Sequence, residues 1–276
     1  MENLDQNIER HYLKEGLLED IINRLKDQNI SINNVRRSDI SGVDEFHVRG
    51  AAVSRELAQM INLKGLKVLD VGCGLGGACR MLADEFNCDV TGLDLSNEYI
   101  RTAKGLSKLV RLENKTRFIR GNAVNLPFEN STFDVVWTQH VQMNIPDKTK
   151  FYTEICRVLN PDGYFLYYDI FKNNNKEINY PMPWANTEDL SFLAHPGNIQ
   201  TLLTQVGLQK VSSSDQTREG IIFFENLMNK LKTSDPPKIG LNILMGETTR
   251  QKLNNLLIHL KKDILTLEAA IYKKAN

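Results

Sequence analysis

Three glycines and two carboxylates carry the clearest chemical signal in this sequence. Gly72, Gly74 and Gly76 stand in the run Val68-Leu69-Asp70-Val71-Gly72-Cys73-Gly74-Leu75-Gly76-Gly77. Glycine lets a backbone turn tightly and lets a ligand approach main-chain amides with no side chain in the way. The run joins an apolar stretch of strand type to a stretch of helix type, the context in which such turns cradle ligands. Asp94 ends the next strand-like segment. A carboxylate there can accept both hydroxyls of a ribose, whose hydrogen bonds would otherwise be lost on burial. These features fit recognition of an adenosine, and a dinucleotide-dependent oxidoreductase would carry the same acid. Asp70 separates the two. A carboxylate close under the turn repels a pyrophosphate and suits a ligand with an ammonium or sulfonium charge; it could also brace the loop amides.

The elements that must position these residues follow from periodicity. Val68–Val71, Val90–Leu93, Arg117–Arg120, Phe133–Trp137 and Tyr164–Tyr168 read as strands. Ala78–Phe86, Asn97–Val110 (with Ser96 as cap) and Lys148–Leu159 read as helices between them. Pro161-Asp162-Gly163 reads as a turn. This alternation predicts βαβ units and a largely parallel sheet. Ahead of it, Leu13, Leu17, Leu18, Ile21, Ile22 and Leu25 recur at helical spacing, 29–43 reads as loop, and 50–61 as a second helix. After Asp169 the rhythm breaks. Residues 172–197 read as a long connection of the kind that covers a site. Ile199–Val206, Ile221–Leu231 (stopped by Asp235-Pro236-Pro237) and Thr248–Leu260 read as helices, Val211 as part of a sixth strand, and Leu265–Tyr272 as a closing strand.

Composition bounds the rest. The chain has 276 residues, 41% apolar and 25% charged, and its 34 Lys+Arg balance its 34 Asp+Glu. That is an ordinary globular composition, enough for one domain of about 200 residues with an elaboration. The charge balance, with no basic stripe interleaved with aromatics, argues against a nucleic-acid partner. No apolar run is long enough for a membrane span, and Met1-Glu2-Asn3-Leu4-Asp5 does not start like a signal peptide. Cys73, Cys79, Cys88 and Cys156 form no C-x-x-C pair, so the expectation is a reduced, cytoplasmic chain without a metal.

Five segments, in order, carry a family resemblance. Val68–Gly77 resembles the first motif of the class I S-adenosylmethionine-dependent methyltransferases, and Gly92-Leu93-Asp94-Leu95-Ser96 resembles the second. Gly121–Phe128 resembles the segment that flanks adenine, Phe133–Trp137 the fourth-strand motif, and Arg157–Tyr164 the entry to the fifth strand. Phe46–Gly50, Gln139–Asp147 and the tail from Leu241 resemble the small-molecule branch that includes sarcosine/dimethylglycine methyltransferases. The resemblance implies a doubly wound, seven-stranded, mostly parallel α/β sheet, the Rossmann-like methyltransferase fold. It implies an N-terminal helical cap (1–62) and a core (63–276) with cap-forming insertions at about 170–197 and 215–260.

The implied cofactor is S-adenosyl-L-methionine, leaving S-adenosyl-L-homocysteine. Gly72, Gly74 and Gly76 would wrap its amino-acid part, Asp94 would hold the ribose, Leu95 would pack on adenine, and Ala123 would offer its amide to the ring. Asn122 stands where the family usually has Asp, and its carbonyl oxygen can still accept. Arg49 would pair with the cofactor carboxylate.

Ligands of such sheets bind beyond the carboxyl ends of the strands, which puts Gln139 and His140 at the edge of the fourth strand. Gln139 and His140 would touch the cofactor, and His140 is the candidate catalytic base, needed for an oxygen or carbon acceptor more than for a neutral amine. Met143, Tyr180 and Trp184 are candidate acceptor contacts. The expected function is methyl transfer to a small molecule, such as a glycine-derived amine, by a monomer or homodimer. The alternatives are O- or C-methylation of a lipid, quinone or secondary metabolite, and a non-enzymatic cofactor-binding scaffold.

Overall fold

A computed structural model of the protein describes residues 4–12, 14–233 and 237–275. Met1–Asn3, Leu13 and the Asp235-Pro236 stop lie outside them. Four helices precede the sheet: α1 (Leu4–Tyr12), α2 (Leu17–Lys26), α3 (Arg37–Asp44) and α4 (Ala51–Ala58). Then come β1 (Lys67–Val71), α5 (Gly77–Phe86), β2 (Asp89–Asp94), α6 (Asn97–Leu109), β3 (Thr116–Arg120), β4 (Phe133–Gln139), α7 (Lys148–Val158) and β5 (Leu159–Lys172). The chain ends in α8 (Pro196–Gln205), β6 (Leu208–Asp215), α9 (Thr217–Thr233), α10 (Asn242–Met245), α11 (Thr249–Lys261) and β7 (Leu265–Lys274).

The seven strands form one sheet in the order β3-β2-β1-β4-β5-β7-β6. The β1–β2, β1–β4, β2–β3 and β4–β5 pairs are parallel, while β7 runs antiparallel to both β5 and β6. Helices cover both faces, so the central strands are apolar on both sides. Val68, Val135 and Leu166 point into one core, and Leu69, Val136 and Phe165 into the other, as the two-residue period of a strand requires. The order reverses between β1 and β4, and such a switch point is where doubly wound sheets open a crevice for ligands.

Two local expectations need correction. Residues 29–43 are not all loop, because α3 begins at Arg37 and buries Ile40 and Val43. Its start is fixed by the Asp39 carboxylate, which accepts from the Arg36 amide at 2.8 Å. The polar residues around it hide this short amphipathic turn from a periodicity count. The Pro161–Gly163 turn lies within β5, as an irregularity of the β4–β5 register between Phe133 and Val135.

The end of α3 presses on the start of α5. A Cβ on Gly77 would lie 1.9 Å from the Asp44 carbonyl oxygen, so only glycine admits this approach. Arg80, fully buried, spans the same contact, donating to Asp44 Oδ1 at 2.7 Å and to the Leu75 carbonyl at 2.6 Å. No helix among the described residues is long and apolar enough to cross a membrane.

Candidate active site

β1 ends at Val71, and the chain then turns on three glycines with positive φ: 76° at Gly72, 53° at Gly74 and 81° at Gly76. L side chains rarely adopt this region. The turn is fastened to the end of β2. The amides of Gly72 and Cys73 donate to the Leu93 carbonyl at 2.7 and 3.0 Å, and the Gly74 amide donates to Asp94 Oδ2 at 2.9 Å. Asp94 Oδ1 accepts from the Ser96 amide at 2.9 Å. Burial raises the Asp94 pKa above that of an ordinary carboxyl, while the amides of Ser96, Gly74 and Leu95 pull it back. Asp70 is not the brace of the loop amides. It accepts from the Cys79 thiol at 3.2 Å, and burial, with the Glu45 charge adding, lifts its pKa to about 7.

Beyond the strand ends lies a cavity whose wall includes Asp70, Gly72, Gly74, Asp94, Leu95, Asn122, Ala123, Gln139 and His140. Two residues singled out with them stand apart. Gly76 packs inward, where a Cβ would meet the Phe118 ring at 2.6 Å. Arg49 does not reach the wall; its guanidinium is held by the Glu56 carboxylate at 2.6 and 2.9 Å and by Gln216 Oε1 at 2.6 Å. An arginine already satisfied by a two-pronged carboxylate pair has little call on a second one.

The roof of the cavity is α1, which contributes Leu4, Asp5, Ile8, Glu9 and Tyr12. Asn122 ties the roof to the floor: its Nδ2 donates to Asp5 Oδ2 at 2.8 Å, and its Oδ1 accepts from the Val124 amide at 3.0 Å. Seven carboxyl side chains line the cavity (Asp5, Glu9, Asp44, Glu45, Asp70, Asp94 and Asp147), and among the described residues no lysine or arginine does. A field of that sign favours a cationic ligand and disfavours a pyrophosphate.

A second cavity adjoins the first, sharing Tyr12, Phe46, His47 and His140. Its wall is apolar: Met143, Trp184, Phe223, Phe224, Leu253 and Leu256 belong to it. Tyr180 does not; it packs half-buried against the core behind. His140 stands where the two cavities meet, at φ 53°. Its amide donates to the Tyr168 carbonyl at 2.9 Å, and the Asp169 carboxylate accepts from the next two amides, Val141 and Gln142, at 3.2 Å each. Its ring lies 5.1 Å from Tyr168 and 5.9 Å from His47. Burial and the neighbouring His47 push its pKa well below the usual histidine value, so the imidazole is neutral near pH 7. Its Nε2 and the Tyr168 hydroxyl are buried without a hydrogen-bond partner. Of the two residues, His140 lines the cavity walls, and an unpaired polar atom there is what a bound ligand satisfies.

Sequence reasoning missed two parts of this arrangement. The first is the detail of the roof: a helical cap over 1–62 was expected, but not which residues of α1 line the cavity, although Leu4, Ile8 and Tyr12 recur at helical spacing. The second is His47, whose Nε2 lies 2.6 Å from Glu45 Oε2. Ser54 links this pair to Gln139, its Oγ 3.2 Å from both Glu45 Oε2 and Gln139 Oε1. No sequence period marks such a pair.

Comparison with known proteins places this architecture. The family model for a methyltransferase domain matches residues 62–218. The glycine/sarcosine/dimethylglycine N-methyltransferase of Actinopolyspora halophila is 30% identical over 190 residues, which cover 67% of this chain and 32% of that protein. The norajmaline N-methyltransferase of Rauvolfia serpentina is 31% identical over 181 residues, covering 62% of this chain and 61% of that one. The match thus spans about a third of the first relative and under two thirds of the second. Among solved structures, a geranyl diphosphate C-methyltransferase from Streptomyces coelicolor A3(2) superposes with a TM-score of 0.73 at 14% identity, over 99% of both chains; at that identity the likeness is one of fold. With the family model covering more than half of its length, the chain belongs to the class I S-adenosylmethionine-dependent methyltransferases.

Proposed function

We propose that this protein transfers a methyl group from S-adenosylmethionine to a small molecule with a largely apolar body, at an oxygen or an activated carbon. The observation that carries the donor half is the acidic cavity at the glycine turn, free of lysine and arginine among the described residues. The sulfonium supplies a methyl group that is already activated. The chain's own task is to hold donor and acceptor in line and exclude water. Asp94 and the Gly72–Gly74 turn hold the ribose and amino-acid ends, Leu95 and Ala123 flank the adenine, and α1 closes over both. Residues 1–62 then serve as a cap on a core from residue 63. Four free thiols, three of them buried, suit a reducing cytoplasm.

The apolar wall supports the acceptor half. A glycine derivative has too little apolar surface to fill a chamber built by Met143, Trp184, Phe224 and Leu256, whereas a lipid, quinone or aromatic metabolite would cover it. His140, neutral and with Nε2 unpaired, sits where the acceptor would meet the donor and would take the proton from an attacking hydroxyl.

Calorimetry is expected to show one site for S-adenosylhomocysteine that NADH does not compete for; competition by NADH overturns the donor reading. His140→Asn keeps the left-handed backbone, since Asn tolerates positive φ. It should lower kcat by about a hundredfold or more and lower S-adenosylhomocysteine affinity by far less. In the wild type the working imidazole is the neutral one, so kcat at saturating S-adenosylmethionine, whose positive charge favours the ionised form of the neighbouring Asp70, should stay flat across neutral pH. It should fall only as pH drops through the depressed pKa, below 6.5. A midpoint at or above 6.5, or full turnover in the variant, assigns His140 a purely structural role.

A further inference from the structure

A third chamber opens beside the apolar cavity, and it holds a charge that methyl transfer does not use. Lys252, in the first turn of α11, is 5% exposed. Its ammonium makes one hydrogen bond, a long one of 3.5 Å to the Met245 carbonyl. No carboxylate pairs with it among the described residues, and burial lowers its pKa. An ammonium taken out of water with no counter-charge works against folding. The positive end of the helix dipole adds to the cost. His11 of α1 faces the same chamber, its Nε2 3.5 Å from the Pro183 carbonyl. Asn186, Thr248 and Gln251 add polar side chains, and no Asp or Glu lines it among the described residues. Tyr12, Phe46, Pro183 and Met245 line both this chamber and the apolar cavity, so the two adjoin.

We infer that this chamber binds the anionic end of the methyl acceptor, a carboxylate or a phosphate monoester, against Lys252 and His11. The acceptor's apolar body then runs past Tyr12 and Phe46 towards His140. The inference rests on the acceptor placement proposed above and narrows it to amphiphilic anions. It also explains an otherwise unfavourable residue: the Lys252 charge is matched only when the ligand is in place.

The test uses the full chain saturated with S-adenosylhomocysteine and three probes of one tail length, namely octanoate, octyl phosphate and 1-octanol, titrated by calorimetry. At least one anion should bind the wild type about tenfold or more tighter than 1-octanol, as expected for a charge-assisted hydrogen bond. Preference for octanoate identifies a carboxylate and preference for octyl phosphate a phosphate. Lys252→Met should bring all three affinities within about twofold and should melt at a higher temperature than the unliganded wild type. Lys252→Gln, which loses the charge and keeps a polar tip, should lose the preference as well, and Lys252→Arg should keep it. S-adenosylhomocysteine affinity should be the same in all four proteins. Equal binding of anions and alcohol by the wild type, or a preference that survives Lys252→Met, overturns the anion site alone. Failure of all three probes to bind removes the acceptor cavity and the anion site together.

Discussion

Asp94→Ala is expected to weaken S-adenosylhomocysteine binding by about a hundredfold, with little change in the fold. On the proposed reading the carboxylate has two roles. It accepts the Gly74 and Ser96 amides at 2.9 Å each, which sets the turn, and its remaining lone pairs face the cavity where a ribose would lie. Two charge-assisted hydrogen bonds to ribose hydroxyls, at about 1.5 kcal/mol each, account for that factor. The unliganded protein should respond in the opposite direction. Burial raises the Asp94 pKa in the folded state, so the ionised carboxylate disfavours folding above its unfolded pKa, and the penalty disappears as pH falls below both values. Asp94→Asn removes the charge and retains an acceptor for the Gly74 amide. It should therefore melt at or above the wild-type temperature near pH 7 while losing most of the stabilisation that S-adenosylhomocysteine gives. Wild-type affinity by calorimetry in Asp94→Ala would falsify the ribose assignment.

The parts of this site that are contiguous in sequence were the legible ones. Strand, glycine turn and helix from Val68 to Phe86 form one local unit whose shape is dictated by residue type, and Asp94 follows at the end of the next strand. The strand–helix alternation also predicted a mostly parallel sheet, and the family resemblance supplied its seven strands. Long-range contacts were not legible. Asn122 was read by its place in a motif, yet its amide is taken by Asp5, from a helix at the other end of the chain. Arg49 was read as a cofactor partner from the family resemblance of the Phe46–Gly50 segment; in the fold Glu56 and Gln216 claim it. Tyr180 and Trp184 look equivalent as aromatics of one long connection. Only Trp184 reaches the apolar cavity, its Nε1 fixed by Ser191 Oγ at 3.0 Å. Gly76 shows the same limit in a glycine: the space a side chain would need there is taken by the Phe118 ring of β3, which no local pattern announces.

Arg80→Ala is expected to destabilise the protein by about 3–5 kcal/mol, the cost of breaking a buried ion pair from one side. Arg80 is fully buried and its guanidinium serves four acceptors: Asp44 Oδ1 at 2.7 Å, the Leu75 carbonyl at 2.6 Å, and the Ala103 carbonyl and Ser107 Oγ at 3.3 Å each. Alanine leaves the Asp44 carboxylate buried without its cation, and burial already raises that group's pKa with Arg80 present. In the variant the pKa rises further, so the extra penalty is full at neutral pH and is relieved as pH falls through the raised value and the carboxyl protonates. Urea unfolding of both proteins, repeated at successively lower pH, should therefore show a gap that narrows towards acid. Arg80→Met fills much of the volume but leaves Asp44 equally unpaired, and should recover only the part due to the cavity. Because Leu75 belongs to the glycine turn and Asp44 ends α3, the same substitution loosens the joint between the N-terminal helices and the donor cavity. S-adenosylhomocysteine affinity should fall with stability in Arg80→Ala although Arg80 does not line that cavity. A loss below about 1 kcal/mol, independent of pH, would mean that Asp44 finds water or another cation and that the ion pair is not what joins cap to core.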